Sequence, residues 1–421
     1  MKLKEWPRCG VRVWEGTTAA GLPVYVFPMP GFQTKYAFFA AGFGGCDRRI
    51  LLNGKGKDIP AGTAHFLEHK LFDMPEGSAA ERLAALGASS NAYTGHGMTG
   101  YLFSCTENFA PCLEELLRFV TTPYFTPESV DREREIISRE IAMYEDDPTR
   151  RVDRRFFRAL YREHPVRDPI TGTAESIGSI TAEDLYECHE AFYTPRNMVL
   201  CCAGDVDPER IMALAEKLVP PGGEAPVREE PAEEDLTPAS VRVEEKMPVS
   251  MPLFQLGAKL LRRKEGAAWA REMLLADLSC ELLLGVGSPL FAEMYDAGVV
   301  DHSFFVDTYD FRRGGVCYAG GRCGDPGEVL ARIVDGAEAF RMDAAAVARL
   351  ERLKRARLGG FLMSLDSPEE LPELQAECRF DGWDCMELPA LAESIRPGEA
   401  EAFLRETFRP ERLALSVIAP L

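Results

Sequence analysis

The stretch GTAHFLEHKLF, residues 62–72, contains two of the six histidines of the chain, with a glutamate directly before the second. Residues three and four positions apart lie on one face of an α-helix, so His65, Glu68 and His69 are expected to project together. The leucines of the stretch form a separate apolar stripe that can dock on a domain core. The stretch therefore predicts a helix that holds both imidazoles toward one point.

This spacing favours a metal site. Neutral histidine nitrogens bind Zn²⁺ at about 2.0–2.1 Å, and a catalytic zinc usually has three protein ligands and one position for water. A chance H-x-x-E-H is rare in a chain with so few histidines, on the order of 1% or less. The remaining histidines lack comparable neighbours, and a structural role is favoured for each: His96, His164, His189 and His302.

A third ligand must come from another segment, and residues 131–147, DREREIISREIAMYEDD, are the best donor. Glu133 and Glu140 are two helical turns apart and face the same way, with Ile136 and Ile137 between them on that side. A carboxylate on a partly apolar helix face needs a partner, which zinc or a zinc-bound histidine would supply. In the alternative, the glutamates pair with neighbouring arginines in solvent, and for Glu133 alone both interpretations remain open.

Composition narrows the class of protein. The 421 residues favour two or three domains, and 46% hydrophobic with 27% charged residues is typical of a globular protein. A formal net charge of −19 argues against nucleic acid and anionic membrane as partners. An acidic binding surface would take a neutral or basic partner, although solvated acidic faces explain the charge equally well.

The cellular location and the state of the cysteines are predicted from missing sequence signals. No segment approaches the ~18 continuous apolar residues of a membrane span, and the start lacks the apolar region of a secretory signal, so we expect a cytoplasmic protein. Twelve cysteines without a C-x-x-C pair indicate neither a zinc ribbon nor a disulfide framework. Most are expected to be buried, reduced thiols, which makes a thiol-redox function the weakest hypothesis.

A linker divides the chain into two similar halves. Residues 219–240 combine five prolines with an acidic run and are typical of a linker. They separate an N-terminal domain, residues 1–218, from a C-terminal domain, residues 241–421. Both halves alternate short aromatic or β-branched strand patterns with long helical patterns in a similar order. The predicted fold class is α+β, with two tandem domains that each have a mostly antiparallel sheet packed by helices.

The motifs together resemble a known family. H-x-x-E-H, followed about seventy residues later by a glutamate in an EREIISRE helix, is similar to the inverzincin zinc peptidases of the pitrilysin, insulinase and mitochondrial processing peptidase (M16) family. SSNAYTGHGMTGYLF, HPVRDPITGTAESI and YTPRNMVLCCAGDVD match family segments in order. The resemblance is strong in the first half and holds in outline in the second. It implies a short, two-domain bacterial-type member whose domains form a clam-like chamber.

The resemblance assigns roles by position. It implies one Zn²⁺ per chain, with His65, His69 and Glu140 as ligands and Glu68 as general base and acid. Glu133 would steady a ligand from the outer shell. The implied activity is that of a zinc-dependent metalloendopeptidase: zinc activates a water and polarises the scissile carbonyl, while Glu68 transfers the proton to the leaving amine.

A peptide substrate would lie along an edge strand. The resemblance places Asn91, Ala92 and Tyr93 on the strand that receives the substrate backbone, where main-chain hydrogen bonds give affinity with little demand on sequence. We therefore expect peptides or extended polypeptide segments as substrates.

The second half departs from the family pattern. An Arg and a Tyr that stabilise the substrate carbonyl are expected within residues 288–305, where Tyr295 stands in place of Arg and Asp301 or His302 in place of Tyr. One such donor is worth about 10²–10³ in rate. A similar subunit in a homo- or heterodimer could supply the missing pair. Local substitutes are a second hypothesis: Tyr309, Arg312 and Arg313.

Two functional alternatives remain beside the active zinc peptidase. The chain could be a catalytic subunit that works only with a homologous partner, or a non-catalytic structural or assembly subunit of the same fold. The complete set of His65, His69, Glu140 and Glu68 argues against the latter, since a structural subunit does not need a base.

Overall fold

The structure is a computed structural model that describes residues 1–7, 9–52, 54–229 and 233–421. Its strands are β1 (Lys2–Trp6), β2 (Val11–Thr17), β3 (Pro23–Pro28), β4 (Lys35–Ala41), β5 (Arg49–Leu52), β6 (Lys55–Asp58), β7 (Asp73–Met74), β8 (Gly77–Ser78), β9 (Ser89–Thr94), β10 (Thr99–Cys105), β11 (Met198–Gly204), β12 (Val227–Arg228), β13 (Arg242–Met247), β14 (Leu253–Leu261), β15 (Phe305–Phe311), β16 (Gly314–Arg322) and β17 (Leu413–Pro420). Its helices are α1 (Thr63–Leu71), α2 (Ala79–Ala85), α3 (Phe109–Thr121), α4 (Pro127–Asp146), α5 (Pro148–Leu160), α6 (Ala174–Gly178), α7 (Ala182–Phe192), α8 (Pro208–Leu218), α9 (Ala267–Leu284), α10 (Pro289–Asp296), α11 (Pro326–Ala339), α12 (Ala344–Ser364), α13 (Glu370–Phe380), α14 (Leu388–Ser394) and α15 (Pro397–Thr407).

The first large sheet has the strand order β1-β2-β3-β11-β4-β10-β9. Its pairs are antiparallel except for β11, which runs parallel to β3. The central strands β4 and β11 are buried along most of their length, because helices cover the sheet and the strand sequences are aromatic and aliphatic. Strand β9 lies at the edge, where its outer backbone groups pair with no other described strand.

The second large sheet has the order β13-β17-β14-β16-β15. Here too one pair is parallel, β13 with β17, and the hairpin β15–β16 puts β15 at the edge. Thus β13, β17, β14, β16 and β15 correspond in order and direction to β3, β11, β4, β10 and β9. Each sheet carries its own hydrophobic core, which confirms the predicted α+β class with a repeated, mostly antiparallel sheet.

Two compact units group the chain by contacts. The first unit comprises Met1–Ile141, Pro169–Glu230 and Phe361–Met386. The second unit comprises Ala142–Asp168, Pro231–Gly360 and Glu387–Leu421. Each unit thus contains a helix from the other half of the chain: α13 packs on β4 and β11 in the first unit, and α5 packs on β14 and β17 in the second.

The sequence-based division at residues 219–240 stays a prediction, as does the clam-like chamber. Within that segment β12 pairs with β5 of the first unit, and Arg228 donates to the buried Asp47 at 2.6 Å. Glu234 belongs to the second unit. Residues 230–232 of the predicted linker lie outside the described residues.

Two further predictions concern cysteines and membranes. The twelve cysteines, all among the described residues, form no disulfide, and all except Cys9 are buried, as the lack of C-x-x-C spacing led us to expect. Among the described residues, no single helix has the length and apolar character to cross a membrane; the bent pair α9 and α10 passes on length and composition together. The cytoplasmic location stays a prediction.

Candidate metal centre

Helix α1 presents the first part of the site, over the residues that the sequence predicts as a helix. It is capped at its N-terminus by Gly62, whose φ of +90° suits glycine and where a Cβ would stand 2.6 Å from the Thr171 carbonyl oxygen. Leu67 and Leu71 are buried in the core of the first unit and fix the rotation of the helix. His65 and Glu68 are also buried, at 8% and 9% exposure, and face the site.

Helix α4 presents the second part. It carries both Glu133 and Glu140 to α1, as the spacing of seven residues predicts. Ile137 is buried, but Ile136 is 49% exposed, so its predicted place on the apolar side was wrong. Successive helix residues are 100° apart, and the core lies on the Ile137 side of the two glutamates, which turns Ile136 toward the surface.

Three ligand atoms converge. Nε2 of His65 and Nε2 of His69 each lie 3.7 Å from Oε2 of Glu140. All three atoms lie within 4.8 Å of one another. A distance of 3.7 Å exceeds a hydrogen bond, whereas two ligands of one tetrahedral zinc are about 3.4 Å apart given bonds of about 2.0–2.1 Å. The donor set of two imidazoles and one carboxylate suits zinc.

The polar environment also fits a cation. Within the part of the chain that the structure describes, no lysine or arginine forms an ion pair with Glu68, Glu133 or Glu140. Nδ1 of His65 is buried without a hydrogen-bond partner among those residues. Clustered carboxylates are unfavourable when buried, and a divalent ion bound at the converging atoms would offset their repulsion. Such an ion would bind Nε2 of His65 and would leave Nδ1, on the other side of the ring, without a partner.

Glu133 contacts the site through a histidine. Its Oε1 accepts a hydrogen bond from Nδ1 of His69 at 2.9 Å, and its side chain is 14% exposed. This bond places the proton on Nδ1 and leaves Nε2 of His69 with a lone pair directed at the converging atoms. The neighbouring arginines bind elsewhere: Arg134 to the Ile177 and Ile180 carbonyls, and Arg139 to Glu135.

Burial and charge shift the titration of three groups. Burial, with the neighbouring His69, lowers the pKa of His65 to about 4, against the pull of Glu140 and Glu133. Burial also acts to lower the pKa of His69, but the hydrogen bond to Glu133 together with the charges of Glu133, Glu68 and Glu140 outweighs burial, and the net shift is upward. The pKa of Glu68 is raised by burial, partly offset by a hydrogen bond from Thr94.

Strand β9 lies beside α1. The predicted substrate-binding residues Asn91, Ala92 and Tyr93 lie on this edge strand, and successive side chains point to opposite faces. Ala92 packs toward the core that α1 shares, whereas Tyr93 packs on the opposite face of the sheet. Thr94, at the end of the strand, returns to the α1 side and contacts Glu68.

Two residues near β9 are absent from the sequence-based prediction. Thr94 directly follows the NAY triplet, and its position two residues after Ala92 is the signal that could have found it. Glu373 lies on α13, far along the chain, and its carboxylate accepts hydrogen bonds from Tyr36 and, at 3.0 Å, from Tyr93. No local pattern indicates that second contact.

The tentative residues lie on the β15–β16 hairpin of the second unit. The ring of Tyr309 packs edge-on against Phe157, and the carbonyl of Arg312 accepts a hydrogen bond from Nε2 of His164 at 3.0 Å. His189 donates similarly to the Val120 carbonyl at 2.9 Å. Both of these histidines are therefore structural, as expected. The catalytic role of Tyr309 and Arg312 stays a prediction.

Known proteins resemble this chain in sequence and in architecture. The sequence matches the family description "Insulinase (Peptidase family M16)" over residues 56–174 and "Peptidase M16 inactive domain" over residues 179–357. It is 34% identical over 412 residues to a Bacillus subtilis protein named "uncharacterized zinc protease YmfH", covering 95% of each chain. The chain belongs to the M16 (insulinase) peptidase family.

Solved M16 structures confirm the tandem fold. A protein described as an M16-like peptidase, from Alicyclobacillus acidocaldarius, superposes with a TM-score of 0.93 at 32% identity, covering 99% of this chain and 100% of that one. A structure described as the peptidase M16 inactive domain, from Pseudomonas fluorescens, gives a TM-score of 0.78 at 16% identity, covering 97% and 98%. The latter likeness concerns the fold alone.

Proposed function

We propose that this chain is a zinc-dependent endopeptidase that hydrolyses peptides or extended polypeptide segments. The observation that carries the proposal is the convergence of His65, His69 and Glu140 within 4.8 Å, with Glu68 buried beside them. The relatives named zinc proteases support the same class of activity. One zinc ion per chain, held by these three residues, supplies Lewis acidity to the attacking water and the scissile carbonyl.

Glu68 and Glu133 have separate roles in the proposed reaction. Glu68 accepts a proton from the attacking water and returns it to the leaving amine; its raised pKa brings it closer to neutral pH, where proton transfer in both directions is efficient. Glu133 holds the ring of His69 in the orientation that directs Nε2 to the centre. Neither step requires a residue from outside the first unit.

The substrate is held by backbone pairing. Among the described residues β9 pairs with β10 alone, so its other edge offers N–H and C=O groups to an extended peptide. Asn91, Ala92 and Tyr93 form the middle of that edge. Pairing of this kind is independent of side chains, which suits unfolded segments of varied sequence.

Metal analysis and peptide cleavage of the parent and Glu68→Gln test the proposal. The expected result is that both bind one zinc ion, because Glu68 is not a ligand, while cleavage falls by about 10²–10⁴-fold in the variant. Glu81→Gln is the matched control, since Glu81 is an exposed glutamate on helix α2. Equal cleavage by Glu68→Gln and the parent would refute the assignment of the base.

A second candidate keeps the chemistry but adds a partner. Tyr295, 49% exposed on α10, stands at the position expected for Arg, and the position expected for Tyr holds Asp301 or His302. We propose that a separate, similar subunit without the zinc motif supplies these carbonyl-binding groups in a heterodimer. The isolated chain is then nearly inactive and regains cleavage with the partner. Robust hydrolysis by a monomeric sample would remove this candidate, and zinc binding without cleavage in any combination would favour a non-catalytic subunit.

A further inference from the structure

Glu68 is held by one hydrogen bond. The Thr94 hydroxyl donates to Oε2 of Glu68 at 2.5 Å, and the described part of the chain provides no other hydrogen bond to this carboxylate. Glu68 is only 9% exposed, so solvent contributes little to its orientation. A buried side chain with several rotatable bonds and a single polar anchor depends on that anchor for its position.

A second threonine lies beside Thr94 but does not compete as a donor. The fully buried Thr99 stands opposite Thr94 in the β9–β10 ladder and donates its hydroxyl proton to the Phe43 carbonyl at 2.8 Å. The two threonine oxygens are 3.3 Å apart. Since the Thr99 proton goes to Phe43, Thr99 can only accept from Thr94. The Glu68 carboxylate is the nearer acceptor, at 2.5 Å against 3.3 Å, and when ionised it is also the stronger one, so the Thr94 proton points to Glu68. β-Branching further restricts the Thr94 rotamer.

The geometry points to Thr94 as the positioning residue of the general base, an inference that rests on the proposed peptidase function. Its hydroxyl occupies Oε2 of Glu68 and leaves Oε1 for the attacking water. Because Thr94 directly follows Tyr93 on the edge strand, the same strand that pairs with the peptide backbone also orients Glu68. Docking of the substrate and alignment of the base therefore share one rigid element.

Steady-state kinetics of Thr94→Val and Thr94→Ser separate positioning from packing. Valine keeps the branched shape and removes the donor, whereas serine keeps the donor and removes a methyl group. We expect kcat to fall by about 10–10²-fold in Thr94→Val, with KM within about twofold and zinc content unchanged, since misplacement by about 1 Å has effects of this size. Thr94→Ser is expected to recover kcat to within about threefold of the parent.

Thr121→Val is the matched control. Thr121 lies on α3 in the same unit, and its hydroxyl donates to the Leu117 carbonyl at 2.7 Å, so the variant also loses one threonine hydrogen bond. Its kcat should equal that of the parent. A kcat for Thr94→Val equal to the parent, or a loss in Thr94→Ser as large as in Thr94→Val, would overturn the positioning role.

Crystal structures of the zinc-loaded parent and both variants test the inference without turnover. The Glu68 carboxylate should move by about 1 Å or take several rotamers in Thr94→Val, and superpose on the parent in Thr94→Ser. An unmoved carboxylate in Thr94→Val would refute positioning even if no sample cleaves peptide. If neither the parent nor its mixture with a similar subunit cleaves peptide, the proposed function fails, while these structures still decide the role of Thr94.

Discussion

The long helices α4 and α12 hold the same position in the order of elements, each as the second helix after the strand pair at the edge of its sheet, yet they carry opposite net charges. In the first unit α4 brings Glu133 and Glu140 to α1, which lies beside edge strand β9. In the second unit α12 brings Arg357 to α9, which lies beside edge strand β15.

In the second unit, the guanidinium of Arg357 neutralises the acidic cluster of Asp277 and Glu281. Nε of Arg357 donates to Oδ2 of Asp277 at 2.6 Å, and Nη2 lies 3.9 Å from Oε1 of Glu281. In the first unit the described residues provide no lysine or arginine for the equivalent carboxylates. One framework thus accommodates a buried acidic cluster with a guanidinium in the second unit and, under the proposed function, with a metal ion in the first.

Glu140→Gln tests the metal half of this comparison and has the largest expected effect. The variant replaces a charged ligand by a neutral amide. Replacing an outer-shell partner of a metal site typically lowers affinity by about 10–100-fold, so replacing a direct ligand should lower zinc affinity by more than ~100-fold, and cleavage should be lost with it. Zinc should raise the melting temperature of the parent much more than that of the variant. Competition titration with a chromophoric chelator and thermal unfolding measure the two effects.

Glu135→Gln is the control for that experiment. Glu135 lies on the same helix, 76% exposed, where it pairs with Arg139 at 3.7 Å. Its replacement should leave zinc affinity unchanged. Undiminished affinity in Glu140→Gln would show that the third ligand is another group and would remove the distinction between the two units.

Local spacing predicts part of this site. His65, Glu68 and His69 lie within one helical turn, so their common face follows from helix geometry alone. Glu140 was placed by resemblance to a family, because a contact between two helices about seventy residues apart has no local signature. Thr94 and Glu373 were missed for the same reason: their contacts depend on the β9–β10 register and on the packing of α13.

The fold shows the same limit. Strand and helix patterns predict the repeated sheet, since alternation and helical periodicity are local. Proline and acidic composition predicts a linker at residues 219–240 but contains no sign of β12 or of the anchor at Glu234, which exist through partners distant in sequence. Helices α13 to α15 have no counterpart in the sequence-based prediction.

Glu234→Gln tests whether the second unit satisfies its buried charge internally. The carboxylate accepts hydrogen bonds from the backbone N–H groups of residues 162–164 and, at 3.1 Å, from the fully buried Lys259. Hydrogen bonds to charged groups contribute about 1.5–3 kcal/mol, so the free energy of unfolding should fall by about 2 kcal/mol at pH 7. Urea unfolding monitored by circular dichroism measures this difference.

The same variant has a defined pH dependence. Burial acts to raise the pKa of Glu234, but the three backbone donors and Lys259 outweigh it and lower the pKa to about 2 from the ordinary 4.5. The stabilisation by the ionised carboxylate is therefore complete above pH 4.5 and is lost as the pH falls toward 2. The parent and variant should converge in that window. The exposed neighbour Glu233→Gln should show neither effect, and a pH-independent difference would contradict the charge-based explanation.

Arg357→Met tests the guanidinium half and has the smallest expected effect. The Arg357 side chain is 45% exposed, so solvent screens the ion pair, but Asp277 at 15% exposure loses its counter-charge. We expect a loss of about 1 kcal/mol in the free energy of unfolding, and recovery of most of it when Asp277→Asn is added, because the uncompensated carboxylate is then absent. Arg139→Met, at an exposed ion pair on α4, should leave the free energy of unfolding unchanged.

The zinc stoichiometry of Arg357→Met is a second measurement. Without the guanidinium, Asp277 and Glu281 are carboxylates with no imidazole beside them, so the variant should still bind one zinc ion per chain, as proposed for the parent. A second ion in Arg357→Met would mean that the guanidinium alone keeps the two units different, and that the acidic cluster beside β15 is itself a metal site once its own cation is removed.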